Sequence, residues 1–291
     1  MAVCGYHGCQ DWYIGTTSRS AGVPDAVRSL AHPFPYNNLA ELEKLLAGRR
    51  DEFAAVIMEP YTFYEPDAGY LEGVRELTQR HGALLIFDEI CTGFHLGLGG
   101  AQKRFGVMPD LATFGKAMGN GYPISCVVGR RDVMRKFEDV FVSYTFGGEV
   151  GAMAAALVVL DILEHTNALE RMEGAGIRLR DGVNAFARDA GFDDRVRTHG
   201  HPRWQLIRFL DTKGQEDEVL RALWLQEVTR RGVLVLSTHN TCAALDETAV
   251  EHVLRAYAEA FKHVGSVLTR GDDLRGHLDG PVPTPAFRVR A

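Results

Sequence analysis

Apolar residues along this chain fall into short continuous runs separated by stretches of helical spacing. Residues 54–58 (AAVIM), 83–87 (ALLIF) and 111–114 (LATF) are such runs, the pattern of parallel strands buried on both faces, and 124–129 is strand-like as well. Between them, residues 39–46 place apolar side chains at helical spacing with Gly48 as a stop, and 70–81 do so until Gly82 ends the segment. Residues 151–163 form a long apolar helix of Ala, Leu and Val. Strand and helix alternate in a βαβ rhythm, which predicts an α/β fold with a mostly parallel sheet. Residues 19–38, rich in Pro, Ser, Gly and Asn, read as an irregular excursion, and Gly97–Gly100 as a mobile loop too glycine-rich for a helix and lacking the Gly-Lys-Ser/Thr ending of a P-loop. Beyond residue 167 the character changes. Helical stretches at 168–190 and 218–231 flank short strands at 205–210 and 233–236, and an amphipathic helix follows at 247–268. The expected organisation is a large domain over 1–165, a small C-terminal α/β domain over 166–270, and a poorly ordered tail over 271–291 with charges and three prolines.

Two charges, Asp88 and Lys116, stand where a buried sheet should not tolerate them. Asp88 and Glu89 follow the 83–87 run, at the carboxyl end of a strand, where open α/β sheets place their ligands. The 111–114 run ends in Gly115-Lys116. Taken singly, a carboxylate after a strand is an ordinary helix cap, and a lysine in a Gly-rich loop an ordinary solvated charge. Taken together, they fit one ligand, pyridoxal 5'-phosphate. Its aldehyde condenses with a lysine, and its ring nitrogen needs a carboxylate to stay protonated and act as an electron sink.

Three blocks in order, DEICTGF (88–94), PDLATFGKAMGNGYP (109–123) and SYTFGGE (143–149), resemble the class III pyridoxal-phosphate aminotransferases, in particular the branch similar to glutamate-1-semialdehyde 2,1-aminomutase. The resemblance runs from GYHGCQDWY (5–13) to about Val267. It implies the PLP-dependent transferase fold type I, aspartate aminotransferase-like, with Lys116 as the Schiff-base lysine and Asp88 as the partner of the ring nitrogen. Tyr6 matches the position whose ring stacks on the pyridine, a role that suits a flat π system, although a core tyrosine would fit the pattern equally. His7, Asp11 and Trp12 share that motif; all three read first as loop structure, with His7 retained among the cofactor-contacting candidates. Glu59, closing the 54–58 strand, faces the cofactor in the resembled fold. The segment after it, Tyr61-Thr62-Phe63-Tyr64-Glu65-Pro66, departs from the aminomutase pattern and leaves Tyr64 or Glu65 as substitutes for a contact to the phenolic oxygen. His95 stands where the family has arginine; a neutral imidazole keeps one hydrogen bond and loses the fork, so His95 reads as a supporting residue. Thr145 matches a threonine that reaches across a dimer interface to the partner's cofactor phosphate, and a Ser/Thr turn before a helix is also a common cap.

The resemblance thus implies a homodimer that moves an amino group between a small-molecule donor and a carbonyl acceptor. An intramolecular aminomutase, a racemase or decarboxylase on the same scaffold, and a half-enzyme all stay open. In the resembled family GYHG lies well inside the large domain, after an N-terminal segment and a Ser-Gly-Thr loop that grips the phosphate. Neither precedes the motif here, so the expectation is weak cofactor binding and slow turnover by this chain alone, with full activity needing a separately encoded N-terminal piece or a longer native chain.

Composition narrows the classes. A chain of 291 residues, 46% hydrophobic and 24% charged, can bury one or two cores. The net charge of −6 carries no basic block, which argues against a dedicated nucleic-acid or membrane-surface binder. Five cysteines without a C-x-x-C pair suggest neither a disulfide framework nor a metal site. With no long apolar span or signal-like segment, the expected location is cytoplasmic.

Overall fold

The computed structural model describes residues 1–49 and 51–283. The chain divides into two compact units, one over Met1–His165 and one that begins at Thr166.

In the first unit six strands form one sheet: β1 (Ala2–Cys4), β2 (His32–Pro33), β3 (Ala55–Met58), β4 (Leu84–Asp88), β5 (Leu111–Phe114) and β6 (Cys126–Gly129), in the spatial order β2-β1-β3-β4-β5-β6. The first five run parallel; β6 turns back antiparallel at the edge. All four residues of β3 are buried, which is why its sequence is continuously apolar. Its alternate side chains serve opposite faces. Val56 and Met58 join Leu42 and Leu46 of helix α1 (Leu39–Gly48) and Leu71 and Val74 of helix α2 (Tyr70–Arg80), while Ile57 packs with Val3 and Tyr13. α1 starts where the Asn38 side chain accepts the Glu41 N–H.

The irregular excursion contains two elements not expected, a helical turn at Asp25–Arg28 and the strand β2. The Gly97–Gly100 stretch also differs from expectation, because it leads straight into helix α3 (Gly100–Phe105). The helix forms there because the buried Glu89 carboxylate accepts the Ala101 and Gln102 N–H groups, both at 2.9 Å, and the Thr92 hydroxyl. Gly100, at φ 60°, has no room for a Cβ beside that carboxylate.

β6 and helix α4 (Val150–His165) end the unit differently. Of α4 only Ala152 and Ala156 are buried, while Val150, Leu157 and Val158 stand exposed. A groove of about 530 Å³ runs along this face, lined by Val127, Phe137, Val142, Tyr144, Phe146 and Met153 among others. No single helix among the described residues is long and apolar enough to cross a membrane.

The second unit packs helices α5 (Ala168–Asp189), α6 (Glu218–Arg230) and α7 (Glu247–Arg270) with an antiparallel sheet of β7 (Val196–His201), β8 (Trp204–Phe209) and β9 (Thr238–Asn240). Trp224, Phe209, Tyr257 and Phe261 fill its core. The strand expected at 233–236 is not formed; Leu234 and Leu236 are exposed, and the third strand is Thr238–Asn240 instead, after Ser237 at φ 63°. Part of the tail expected to be poorly ordered is structured as well. Leu274–His277 form a 3₁₀ turn, and the Gln226 side chain donates to the His277 carbonyl and accepts the Asp279 N–H. Residues 284–291 lie outside the described residues.

Candidate active site

Asp88 is the last residue of β4 and is buried. Its Oδ1 accepts the Ile90 N–H at 3.1 Å and the Thr113 hydroxyl of neighbouring β5 at 3.3 Å. Its Oδ2 meets His7 Nδ1 at 2.7 Å, and His7 Nε2 lies 3.0 Å from the Cys4 carbonyl. The imidazole is held further by stacking on Trp12 at 6.1 Å. His7 therefore acts on the carboxylate, a more specific role than loop structure. A carboxylate accepts at about four lone-pair sites and Asp88 uses three, so one stays available to a further donor.

Lys116 follows β5 at the start of a 3₁₀ turn, Lys116–Met118, and its side chain is exposed. Its backbone sits at φ 45°, the left-handed region that costs a non-glycine residue of order 1 kcal/mol or more and recurs at functional sites. Its Nζ donates to Cys91 Sγ at 2.5 Å. Burial pushes the Cys91 thiol up, and the lysine pulls it back toward ionisation. His95 supports this pair, its Nδ1 lying 2.8 Å from the Cys91 carbonyl.

Glu59, just past β3, accepts the Tyr6 N–H at 2.9 Å. A Cβ on Gly5, at φ 105°, would come within 2.6 Å of Glu59 Oε2, so glycine is required for this approach. Burial raises the Glu59 carboxyl above the usual range; Asp88 adds to the rise, and His7 and Lys116 oppose it, so these charges share one locale. The Tyr6 ring is 48% exposed and meets Tyr13 edge-on.

The structure thus brings Asp88, His7, Glu59, Tyr6 and Lys116 together at the carboxyl end of the sheet. Thr145 stands in an exposed turn before α4, and no contact described above joins it to that cluster. Glu65, considered for the phenolic-oxygen contact, is paired with Arg104 at 3.2 Å. Cys91 is the residue sequence reading missed. It lies inside the DEICTGF block, but nothing in its spacing places it on Lys116.

The profile of the aminotransferase class-III family matches residues 3–264. The chain belongs to that family. It is 33% identical over 277 residues to the 3-aminobutyryl-CoA aminotransferase of Cloacimonas acidaminovorans, covering 92% of this chain and 66% of that protein. The FumI protein of Sphingopyxis sp. MTA144, solved in its PLP internal aldimine form, superposes with TM-score 0.83 at 27% identity, over 92% of this chain and 66% of that one. An omega-transaminase from Sphaerobacter thermophilus shares the fold, with TM-score 0.80 at 24% identity over 91% of this chain and 68% of that one. The chain spans about two thirds of the length of these relatives.

Class III members bind pyridoxal 5'-phosphate, and the donor set fits it. A buried carboxylate with an unused lone pair suits a protonated ring nitrogen, an accessible primary amine suits an aldehyde, and a half-exposed flat ring suits a pyridine face.

Proposed function

We propose that this chain carries the cofactor-binding face of a pyridoxal-phosphate-dependent aminotransferase, which moves an amino group from a small-molecule donor to a keto or aldehyde acceptor. The observation that carries the reading is Asp88, fixed by His7, Thr113 and the Ile90 N–H with one acceptor site unused, in the same locale as the Lys116 amine. Bound there, the cofactor supplies a carbonyl that condenses with amines and a protonated ring that draws electrons from the bond to be broken. Asp88 accepts the ring N–H and holds its charge. His7 fixes the plane of that carboxylate, and Tyr6 offers a ring face. Lys116 would hold the cofactor through its amine and, when that amine is free, would take a proton at Nζ and return it.

The relative at 33% identity is named an aminotransferase, which supports amino-group transfer over the aminomutase reading. Homodimer formation and a contribution from further polypeptide belong to this proposal. They are supported by the apolar β6–α4 face, on which Phe141 is 94% exposed and Tyr144 and Phe146 are also exposed. Thr145, on the same face, is proposed as a phosphate contact made across such an interface. Five free cysteines accord with a reducing, cytoplasmic setting.

Borohydride reduction with cofactor present, followed by peptide mapping, tests the reading. The pyridoxyl group should sit on Lys116, and a label on another lysine overturns the assignment. Product analysis with a panel of amino donors and keto acids then separates transfer from racemisation or decarboxylation.

A further inference from the structure

Of the five cysteines, Cys91 alone has a lysine amine against its sulfur among the described contacts, and that amine is Lys116. Sγ and Nζ are in direct contact, 2.5 Å apart, the adjacency an oriented pair needs to react. The pair is reachable from solvent, since Lys116 is exposed and Cys91 only half-buried. Cys4 offers the contrast of a thiol buried in the core and pushed up to about 12.

We propose that Cys91 and Lys116 form a peroxide-driven sulfur–nitrogen cross-link that masks the lysine amine. The cross-link stands on the contact itself; its consequence for cofactor attachment rests on the assignment of Lys116 made above. In the first step Sγ attacks one oxygen of hydrogen peroxide. The S–O bond forms, the O–O bond breaks, the thiol proton leaves with the second oxygen as water, and sulfur is oxidised by two electrons to the sulfenic acid. In the second step the Nζ lone pair attacks sulfur, the S–O bond breaks, and the hydroxyl leaves as water with one amine proton. One thiol, one amine and one peroxide give one sulfenamide and two waters. A dithiol reductant returns two electrons, breaks the S–N bond and restores both side chains.

Proximity decides the outcome. A sulfenic acid without an adjacent nucleophile goes on to the sulfinic acid, which reductants do not reverse. Held against an amine, it is intercepted first, because the second step is intramolecular. The device couples oxidant level to cofactor attachment and spares the thiol from irreversible loss.

The test treats the full chain with hydrogen peroxide in the absence of cofactor and maps peptides without reduction. The expected product joins the Cys91 and Lys116 peptides at about 2 Da below the sum of their masses, the two hydrogens lost. Dithiothreitol reverses it, and cofactor-dependent visible absorbance falls and returns in step with the cross-linked fraction. Cys91→Ser forms no cross-link and keeps cofactor attachment after peroxide; Lys116→Arg drives Cys91 to the sulfinic acid. Sulfinic acid at Cys91 beside an unmodified Lys116 in the unsubstituted chain overturns the proposal. A cross-link that forms while cofactor attachment persists leaves the cross-link standing and overturns the assignment of Lys116 as the attaching residue.

Discussion

The two ends of the large unit's sheet hold carboxylates used in opposite ways. At the amino end, just before β5, Asp110 is 2% exposed and saturated. It receives Arg75 as a fork at 2.6 and 3.1 Å, Arg130 at 2.8 Å and the Leu85 N–H at 2.8 Å. At the carboxyl end Asp88 receives three donors and keeps one acceptor site. A saturated carboxylate pinned by two guanidiniums ties helix α2 and the residue after β6 to two central strands, whereas an unsaturated one, held in place, is prepared for a ligand.

The largest expected effect sharpens that contrast. Asp110→Ala strands Arg75 and the Leu85 N–H and should cost about 3 to 5 kcal/mol in urea unfolding, as removal of one member of a buried ion pair does. Asp88→Asn keeps the shape and should cost no more than about 1 kcal/mol, the scale of a single neutral hydrogen bond, while removing most turnover, since an amide cannot stabilise a protonated pyridine as a carboxylate does. Equal stability losses in the two variants would erase the distinction between the two ends.

Acid should weaken the amino end. Burial works against ionisation of Asp110, but Arg75, the Leu85 N–H and Arg130 overcome it and hold the carboxyl at about 2. Its folded value is below the ordinary carboxylate range, so its contribution is present above about pH 4 and is lost as pH falls toward about 2, amounting to about 2 kcal/mol. Asp110→Asn should flatten that limb of the stability profile, and an unchanged limb would assign the acid loss to other groups. Glu59 carries the opposite sign. Its carboxyl is raised by burial, so stability present below the ordinary glutamate value falls as pH rises through the raised one. Glu59→Gln can still accept the Tyr6 N–H and should lose that decline; a variant that still shows it would place the decline elsewhere.

How much of this was legible in the sequence follows from what each element needs. β3 is buried on both faces, and β4 and β5 are covered on one face and half-buried on the other, so all three are continuous apolar runs whose ends at Asp88 and Gly115-Lys116 can be read directly. β7, VRTHGH, carries no apolar alternation and is a strand because it pairs residue by residue with β8 across the Pro202-Arg203 turn. The apolar run 233–236 reads as a strand, yet it pairs with no strand among the described residues, and its Leu234 is 87% exposed. In the site, Asp88 and Lys116 announced themselves by charge in an apolar context. The His7–Asp88 bond joins residues 81 positions apart and the Lys116–Cys91 contact residues 25 apart, separations that only the folded βαβ topology brings to one place.

The smallest expected change in stability lies at the β6–α4 face, and it tests whether this edge differs in kind from the packed centre of the sheet. Leu157 is 69% exposed on a helix that buries only two alanines. Leu157→Glu removes no buried apolar area from the chain itself, so its unfolding free energy should move by no more than about 0.5 kcal/mol, as for other surface substitutions. A charge there must be desolvated if the face is covered, so self-association, or binding of further polypeptide, should weaken sharply while the fold stays intact. Leu85 at the centre gives the reference, because Leu85→Ala should cost about 2 to 5 kcal/mol through the cavity left where a fully buried side chain stood. Sedimentation velocity and urea unfolding on both variants separate the cases. If Leu157→Glu destabilises the chain as much as Leu85→Ala, α4 is packed within the unit; if it leaves association unchanged, the apolar face is not where a partner sits.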